Sequence, residues 1–421
     1  MDLIVAEASP PGRGGVSVIR LSGAGARATA EALAGALREP RRAYFRTLRD
    51  GGDELDQALV LWFAAGASFT GEEIAEFHLH GAPVIVRRVL SALLDRGARR
   101  AEAGEFTRRA MLNGKMNLAE VEGLGDLLAA ETESQRRLAL RSLDGDLTRQ
   151  ADHWRGLLIR AGALVESSVD FADEDVPEEV PLEVFDLLAK LRADLDAQIG
   201  GFPAAERLRE GFEVAVIGPP NAGKSSFINR IARRDVALVS EVAGTTRDII
   251  ELPMDLQGLA VTLLDTAGLR ESGDALEAMG IARARARAEA ADLRLHLSPD
   301  GRHDARLWRD GDLVIHTKAD LDPSAGGLAV SALSGEGIDN VLSALFDVLS
   351  LRVAHAGLVS HQRQLAALVD ARAAISDLQG LPVEVLAESV RHSAMSLDRL
   401  LGRIGAEEYL DVIFTSFCIG K

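Results

Sequence analysis

The sequence predicts a multidomain α/β plus α protein, in which an α/β nucleotide-binding domain interrupts a helical region. Its length of 421 residues corresponds to about three domains. Residues 211–350 alternate apolar strand-like and helix-like stretches, as a doubly wound domain does. The flanking residues 119–210 and 351–421 instead carry apolar residues at helical spacing. The simplest organisation is therefore a helical domain in two parts with the nucleotide-binding domain inserted between them.

An N-terminal α+β domain precedes the helical region. We place the domain boundaries at 1–118, 119–210, 211–350 and 351–421, for the N-terminal domain, the first helical part, the inserted domain and the second helical part. Within the N-terminal domain four short runs of β type and one amphipathic helix are expected. The expected strands are 3–6, 16–21, 58–63 and 74–79, and the expected helix is 84–94.

Composition favours a soluble protein in a reducing compartment. The only cysteine is Cys418, so no disulfide can form within the chain. The first residues lack the basic segment of a secretory signal, and no run approaches the roughly 18 apolar residues of a membrane span. We therefore expect a cytoplasmic protein that does not associate with membranes.

The charge distribution limits where nucleic acid could bind. The net charge of −17 disfavours a surface that coats nucleic acid generally. Residues 1–120 nevertheless have a net charge of +1, against −18 for the rest of the chain, so any RNA contact should be local. Five arginines at positions 38, 41, 42, 46 and 49 form one candidate RNA contact, and a plain solvated surface is the alternative.

A phosphate-binding loop follows the first strand of the inserted domain. Residues 218–226 match G-x-x-x-x-G-K-S and stand between an apolar strand-like run and the start of a helix. In this setting successive backbone N–H groups and the helix N-terminus surround phosphate groups. Lys224 would reach the β- and γ-phosphates, and Ser225 would hold Mg²⁺.

Two motifs downstream of this loop would sense the γ-phosphate. Thr246, in the loop 243–248, would give Mg²⁺ a second ligand. Asp265 ends an apolar strand and would lie opposite the ion, and Gly268 offers an N–H group to the γ-phosphate. Their order and spacing are those of GTP-binding domains.

The last two motifs predict guanine rather than adenine. Asp320 would accept two N–H bonds from the edge of guanine, which adenine cannot supply, while the stem of Lys318 lies along the base. The backbone at 330–332 offers an N–H group to the guanine carbonyl. Thr317 stands where asparagine is commoner, which would weaken the ordering of the base site. The candidate GTP-binding residues are Asn221, Ala222, Gly223, Lys224, Ser225, Ser226, Ser240, Glu241, Val242, Ala243, Gly244, Thr245, Thr246, Asp265, Thr266, Ala267, Gly268, Thr317, Lys318, Asp320, Ser331 and Ala332.

Ras-like proteins have a glutamine after the glycine of the D-x-x-G motif, and it orients the attacking water, but this chain has no glutamine there. Position 269 is Leu269, whose side chain can neither donate nor accept a hydrogen bond. Hydrolysis is then either very slow or assisted by another group. Glu277 is one candidate for that role, and a solvated helix residue is the alternative. The carbonyl of Asn221 could coordinate a monovalent cation in place of an arginine finger.

One strand of the inserted domain carries unexpected polar residues. The run 293–297 contains Arg294 and His296 where a buried apolar strand is expected. A strand with alternating exposure would accommodate both side chains, so we expect them to face solvent and assign them no function.

Polar residues of the N-terminal domain could clamp a small anionic ligand. Arg20 and Glu76 lie on predicted strands, and Glu105, Arg108, Arg109 and Lys115 cluster near a helix. Taken singly, a residue of this kind is more often an ordinary surface residue. The chain keeps only five lysines against 42 arginines, so a retained lysine indicates a need for a compact ammonium group.

The chain resembles the MnmE/TrmE family of tRNA-modification GTPases over essentially its whole length. The resemblance is carried by segments 10–15, 68–72, 76–81, 104–110 and 112–115, the GTPase motifs at 244–248 and 265–270, and the terminal 417–421. The last, Phe-Cys-Ile-Gly-Lys, is very specific, because unrelated P-loop GTPases lack it. The resemblance implies an N-terminal folate-binding domain that dimerises, a helical domain and a Ras-like GTPase domain inserted into it.

The resemblance also implies ligand sites. The contacts to a 5-formyl-tetrahydrofolate would be Arg20, Glu76, Lys115 and Lys421. Mg²⁺ would be held by Ser225 and Thr246, and K⁺, at an interface between two G domains, by Asn221, Ser240, the Val242 carbonyl and Thr245. By motif, Glu277 would be the water-orienting glutamate. Cys418 would lie near the folate and tRNA chemistry, in a role that the motif does not define.

The implied activity is shared with a second protein. With an FAD-dependent partner of the MnmG type, in a heterotetramer, a homodimer of this chain would install an aminomethyl-type (carboxymethylaminomethyl) group at C5 of wobble uridine 34 in certain tRNAs. A methylene-bearing tetrahydrofolate would supply the carbon. GTP hydrolysis would drive opening and closing of the G domains.

Two other functions share some of these motifs. A ribosome-assembly GTPase would have the same P-loop and the 244–246 motif, but it should carry a basic RNA-binding appendage, and residues 351–421 are not basic. A folate-dependent one-carbon transferase with a regulatory G domain differs only in which subunit performs the carbon chemistry.

Overall fold

The computed structural model describes residues 2–170, 180–234, 236–238, 250–265, 285–322, 326–404, 413–414, 417 and 420. The chain divides into two compact units. The first comprises Met1–Gly125 with Asp398–Lys421, and the second comprises Asp126–Leu397. One is built on a largely antiparallel sheet, and the other combines a largely parallel sheet with long helices. The predicted multidomain α/β plus α fold class is confirmed.

A six-stranded sheet organises the first unit. Its strands are β1 (Ile4–Glu7), β2 (Val16–Ser22), β3 (Tyr44–Asp50), β4 (Asp53–Phe63), β5 (Ile74–His80) and β6 (Arg99–Arg100), in the order β3-β4-β5-β2-β1-β6. Neighbouring strands are antiparallel except β1 with β6. The four predicted strands are present. Strand β3 and the first half of β4 were not predicted, because their side chains are mostly polar.

Helices cover one face of this sheet. α1 (Ala26–Ala34) and α2 (Pro83–Leu94) pack on alternate strand residues, among them Ile19, Val60 and Phe77, which are fully buried. The strand residues between them, including Arg20 and Glu76, lie on the opposite face and are partly exposed. Because side chains alternate along a strand, the open face collects the polar residues predicted on β2 and β5.

The C-terminal tail packs within the first unit. Phe414 and Phe417 are buried against Leu118 and Val121, with the two ring centroids 5.9 Å apart. These partners follow α3 (Glu105–Leu112) and belong to α4 (Leu118–Ala129). Gly420 has φ +105°, and a side chain there would collide with the carbonyl of Glu7. The tail therefore needs glycine where it meets the end of β1.

Arg109 is a buried cation that is already paired with acidic side chains. Its side chain is 3% exposed and is bonded to the carboxylates of Asp2, Glu72 and Glu105 at 2.6–3.0 Å. The three carboxylates neutralise this buried guanidinium, while its Nε has no hydrogen-bond partner among the described residues. Glu105 and Arg109 therefore compensate each other's charge inside the unit, and their place in a ligand clamp stays a prediction.

A second six-stranded sheet carries the inserted domain. Its strands are β7 (Phe212–Ile217), β8 (Ile250–Leu256), β9 (Leu259–Asp265), β10 (Leu293–Ser298), β11 (Leu313–Thr317) and β12 (Leu328–Val330), in the order β12-β11-β10-β7-β9-β8. Neighbours are parallel except β8, which forms a hairpin with β9. α8 (Lys224–Ala232) and α9 (Ile338–Val353) pack on its apolar core. The carboxyl ends of β7, β9 and β11 meet at one edge, where each continues into a predicted motif.

Long helices complete the second unit, as the helical spacing predicted. They are α5 (Glu133–Leu143), α6 (Asp146–Asp170), α7 (Leu182–Glu210), α10 (Gln362–Ala374) and α11 (Val383–Leu400). α6 and α7 pack along each other and bury Trp154, whose indole N–H donates to Asp194 at 3.3 Å. No helix in the described part of the chain is long and apolar enough to span a bilayer.

Strand β10 is buried along its whole length, so the expectation of alternating exposure was wrong. Arg294 and His296 are 2% and 1% exposed, and both contact the carboxylate of Asp312. Arg294 Nε lies 2.8 Å from Asp312 Oδ2, and His296 Nε2 lies 3.3 Å from the same oxygen. Asp312 was not considered from sequence, because it comes 16 residues after His296 along the chain. The buried polar side chains are tolerated because they satisfy one another.

We expect this cluster to make the second unit sensitive to acid. Burial lowers the pKa of His296 below its usual value of 6.5, so the unfolded chain binds a proton where the folded chain does not. The neutral, buried His296 therefore contributes its full share to the free energy of unfolding at neutral pH. This contribution is lost as the pH falls below about 6.5, by up to about 1.4 kcal/mol per pH unit. Thermal unfolding from pH 7.5 to 5.5 should show a steeper loss for the wild type than for His296→Gln. Parallel curves for the two proteins would contradict the assignment.

Candidate functional site

The phosphate-binding loop of the second unit has the backbone geometry that its sequence predicts. A Cβ at Gly218, which has φ +153°, would collide with the carbonyl of Leu297 on β10. Asn221 and Gly223 also have positive φ values, +61° and +93°. Lys224, the first residue of α8, donates to the carbonyls of Gly218 and Pro219 at 2.8 and 3.0 Å. The backbone of the loop thus surrounds the ammonium group of Lys224 at the N-terminus of α8.

Two predicted magnesium-site residues meet at the end of β9. Ser225 Oγ lies 3.0 Å from Asp265 Oδ2, and Asp265 is 4% exposed. A hydroxyl and a carboxylate are the oxygen donors that Mg²⁺ prefers beside phosphates, so the residues present fit the ion. Thr246, the other predicted Mg²⁺ ligand, lies outside the described residues.

A cavity of about 540 Å³ joins the phosphate loop to the base motifs. Ala222, Gly223 and Ser226 line one side, and the opposite side is formed by Thr317, Lys318, Asp320 and Ala332. Lys318 has φ +59°, an unusual backbone conformation for a lysine, at the point where β11 ends. Residues that are about 100 positions apart in the sequence thus converge on one cavity.

Ser331 lies between the lining residues Val330 and Ala332 but does not line the cavity itself. It is fully buried, its backbone N–H donates to the carbonyl of Glu336, and its hydroxyl accepts from the N–H of Ser334 at 3.2 Å. Thr317 is 5% exposed, and its hydroxyl has no hydrogen-bond partner within the described part of the chain. With threonine at the position where asparagine is commoner, the base site therefore contains a hydroxyl, that of Thr317, without a partner among the described residues.

Further lining residues were not predicted from the sequence. Asn229 and Arg230 on α8, and Arg233 immediately after it, also line the cavity. Asn229 and Arg230 come three and four residues after Ser226, and Arg233 comes four and three residues after them, so all lie on one helix face, a signal that could have identified them. Leu321 and Leu333, which are 76% and 84% exposed, lie at the base end.

Several predicted site residues lie outside the described residues, and their placement stays a prediction. They are Ser240, Glu241, Val242, Ala243, Gly244, Thr245, Thr246, Thr266, Ala267, Gly268, Glu277, Cys418 and Lys421.

A second polar site lies on the open sheet face of the first unit. Arg20 on β2 and Glu76 on β5 are directly paired across the strands, with Arg20 Nε 2.8 Å from Glu76 Oε1. The Arg20 guanidinium lies 5.8 Å from the ring centroids of both Phe69 and Phe106. His78 Nε2 is buried, has no hydrogen bond among the described residues and lies 3.6 Å from Glu76 Oε2. Polar groups and aromatic rings therefore surround one point on the sheet.

Both the tail and Lys115 approach this second site from the same unit. Arg20 Nη1 lies 3.5 Å from the carbonyl of Gly420, the residue before Lys421 in the sequence. Lys115 donates to the carbonyl of Gly66 at 2.5 Å, at the start of the loop that carries Phe69. The structure thus brings Arg20, Glu76 and the tail backbone together, with Lys115 hydrogen-bonded to the adjoining loop.

Family models match nearly the whole chain. The model described as GTP-binding protein TrmE N-terminus matches residues 3–115, and the model described as MnmE helical domain matches residues 118–418. The tRNA modification GTPase MnmE of Paracoccus denitrificans is 60% identical over all 421 residues and over its own full length. The protein of the same name from Ruegeria pomeroyi is 51% identical over 100% of both chains. The G domain of Thermotoga maritima FeoB is 19% identical over 32% of this chain and 98% of its own, but the TM-score of 0.26 is too low to support an argument.

Proposed function

The chain belongs to the MnmE family of tRNA modification GTPases, and we propose that it modifies the wobble uridine of tRNA by a folate-dependent reaction shared with a flavoprotein. It is a GTPase of tRNA modification. The folate-dependent part of the proposal rests on one observation above all, that Arg20, Glu76 and the backbone of the tail converge on one site in the first unit. The nucleotide part rests on the cavity of the second unit, which the phosphate loop and Asp320 both line.

The cavity of the second unit is suited to Mg²⁺-bound GTP. The backbone amides of 221–226 and the ammonium of Lys224 would bind the phosphates, after Lys224 releases the carbonyls that it contacts in this structure. Ser225, and Thr246 by motif, would hold Mg²⁺, and Asp265 would orient it through the hydroxyl of Ser225. The ion would neutralise charge that develops on the phosphates. Asp320 would select guanine.

The site of the first unit is suited to a tetrahydrofolate. Glu76 can accept hydrogen bonds from the amide-like edge of a pteridine, and the unpaired His78 Nε2 adds a polar group beside it. Arg20, Lys115 and Lys421 are cations suited to carboxylate and carbonyl oxygens. A bound methylene-tetrahydrofolate would supply the one-carbon unit near Gly420, which comes two residues after Cys418 in the sequence.

We predict that Glu76→Gln weakens binding of 5-formyl-tetrahydrofolate by about 10-fold or more, since hydrogen bonds to a charged group contribute about 1.5–3 kcal/mol. Calorimetric titration of the full chain measures this directly. Glu54→Gln is the matched control, because Glu54 is an exposed carboxylate on β4 whose Arg49 contact is 3.7 Å long. GTP turnover should be the same in both variants. Unchanged folate affinity in Glu76→Gln would remove this residue from the site.

We propose that the chain works as a homodimer. The open sheet face of the first unit exposes Val16, Phe45 and Leu59 by 60%, 64% and 44%, and Phe45 and Leu59 are paired across β3 and β4. Apolar side chains on one side of a sheet favour a second copy as the covering partner. The G domains of the pair would also meet across K⁺, held by Asn221, Ser240, Val242 and Thr245.

We expect K⁺ to raise GTP turnover well above the rate in Na⁺ of equal concentration. Asn221 has a positive φ and is exposed at the turn of the phosphate loop, where its side-chain oxygen could coordinate a large monovalent ion. Steady-state turnover in the two salts measures the effect, and Asn221→Ala should reduce the difference. Equal rates in the two salts would exclude a K⁺-dependent step.

The remaining parts of the proposal concern partners and place of action. An FAD-dependent protein of the MnmG type would join the homodimer in a heterotetramer, and together they would add the aminomethyl-type group at C5 of uridine 34. Because the substrate is tRNA, we propose that the complex acts in the cytoplasm.

A further inference from the structure

The first unit carries a compact basic cluster at one end of the β3–β4 hairpin. We name it the arginine patch and define it as Arg38, Arg41, Arg42 and Arg46, of which Arg42 and Arg46 lie beside the ring of Tyr44. Arg38, Arg41 and Arg42 are exposed, and Arg46 is half-buried. The patch is unusual in a chain whose net charge is −17. A local positive surface on an acidic protein indicates a specific anionic partner rather than general adhesion.

Most of the positive charge in the arginine patch is not neutralised. Arg41 and Arg46 donate to the backbone carbonyls of Ala67 and Ala36, which leaves their charge uncompensated. Arg38 has no carboxylate within contact distance in the described part of the chain. Only Arg42 pairs with an acid, Glu39, at 3.2 Å, and both side chains are more than 60% exposed. Such an exposed pair contributes little and can be exchanged for another anion.

Tyr44 holds two of these cations in fixed positions. Its ring centroid lies 5.8 Å from the guanidinium carbon of Arg42 and 5.0 Å from that of Arg46. Its hydroxyl accepts a hydrogen bond from the backbone N–H of Glu39 at 2.8 Å, which links the turn before β3 to the strand itself. The backbone N–H of Arg41 donates to the carbonyl of Trp62 at 2.8 Å. Arg41, Arg42 and Arg46 therefore have contacts that position them before any partner arrives, which reduces the entropy lost on binding.

We propose that the arginine patch binds the phosphate backbone of the tRNA substrate. The inference rests on the function of this family in tRNA modification, and it adds a location for the RNA contact. Planar guanidinium groups pair with phosphate oxygens in two parallel hydrogen bonds, and several such cations along a turn match consecutive phosphates. The patch reads no base edge, so it positions tRNA without selecting its sequence.

The test compares two triple variants that remove the same charge from the first unit. The patch variant is Arg38→Gln, Arg41→Gln and Arg46→Gln. The control is Arg87→Gln, Arg88→Gln and Arg100→Gln, and Arg88 pairs with Asp53 at the opposite end of the hairpin. Affinity for purified tRNA is measured for the full chain alone, over a range of salt concentrations. GTP turnover and the unfolding temperature verify that each variant folds.

The patch variant should bind tRNA at least 10-fold more weakly at moderate salt. The slope of log affinity against log salt should fall by about 2, since each phosphate contact contributes about 0.7–0.9. The control should stay within about twofold of the wild type. Equal losses in both triple variants, or unchanged affinity and slope in the patch variant, would overturn the proposal.

Two further results separate this inference from the proposed function. A wild-type chain that binds no tRNA by itself would overturn the RNA contact and leave the proposed function standing, because the flavoprotein could then hold the tRNA. A patch variant with normal tRNA affinity that no longer assembles with the flavoprotein or with a second copy would assign the patch to a protein interface and overturn the RNA contact. Tyr44→Leu provides a second variant, which keeps all charges and should weaken tRNA binding by a smaller factor than the triple change, whereas Tyr44→Phe, which keeps the ring, should stay closer to the wild type.

Discussion

Replacing Asp320 with asparagine is expected to change the preferred base of the nucleotide site from guanine to xanthine. The carboxylate can accept from both the N1–H and the exocyclic amino group of guanine. An asparagine in its place still accepts from N1–H, but its amide donor faces the amino group of guanine and instead matches the 2-carbonyl of xanthine. Because each hydrogen bond to a charged group contributes about 1.5–3 kcal/mol, guanosine diphosphate should bind roughly 100-fold more weakly.

The structure supplies a matched control for this change. Asp339→Asn removes a carboxylate from the same unit, at the start of α9, where it is 82% exposed and pairs with Arg234. Equilibrium binding of guanosine and xanthosine diphosphates to the two variants gives the comparison. Asp339→Asn should keep the wild-type preference. An Asp320→Asn variant that still prefers guanine would mean that the cavity between Ala222 and Ala332 does not hold the base as proposed.

Replacing Glu277 with alanine is expected to slow GTP turnover by roughly 100-fold or more while leaving nucleotide affinity unchanged. Leu269 occupies the position from which Ras-like proteins orient the attacking water, and its side chain has no polar atom. Another group must then position the water, and a well-placed acid–base residue contributes about 10²–10⁴ in rate. Because this interaction forms only in the transition state, kcat should fall and the dissociation constant should not.

The control for Glu277 comes from the helical residues 285–290. Glu289 is half-exposed and pairs with Arg285 at 3.1 Å, as an ordinary helix residue does. Single-turnover hydrolysis in Glu289→Ala should match the wild type. If Glu277→Ala hydrolyses GTP at a normal rate, Glu277 is a solvated helix residue and the water is held by something else.

The nucleotide site could largely be predicted from sequence because its features are local. The turn 218–226 requires its glycines and lysine at fixed spacing, and the adjacent strand needs only a run of apolar residues. The parallel sheet then brings the motif-bearing strand ends together without further information. Asn229, Arg230 and Arg233 were missed because they contribute through a helix face rather than through a recognised motif.

The burial of polar residues inside the two units could not be predicted from local sequence features. Arg294 and His296 were expected at the surface because charged side chains are seldom buried. Their burial depends on the carboxylate of Asp312, which directly precedes β11. This partner is present only because β10 and β11 are neighbours in the sheet. Arg109 shows the same limit, since Asp2 lies 107 residues away along the chain. Charge compensation across strands and helices is a tertiary property that local periodicity does not contain.

The first unit shows a related limit at its edge strand. Strand β3 alternates Phe45, Arg46 and Thr47, and only Leu48 among its seven residues is fully buried. Sequence patterns detect a strand by its buried side, so an edge strand with one such residue is easily taken for a loop. The arginines of the patch were identified from the sequence as a candidate RNA contact, but only the structure shows that Arg42 and Arg46 both lie beside the ring of Tyr44.

The central claim is that GTP hydrolysis in the second unit serves modification of tRNA at a folate site in the first. Nucleoside analysis of tRNA from cells that lack this chain tests it most directly, with complementation by the wild type, by Lys224→Ala and by Glu76→Gln. The account predicts loss of the aminomethyl-type group from wobble uridines, restored by the wild type and by neither variant. Fully modified wobble uridines in the deletion strain would contradict it.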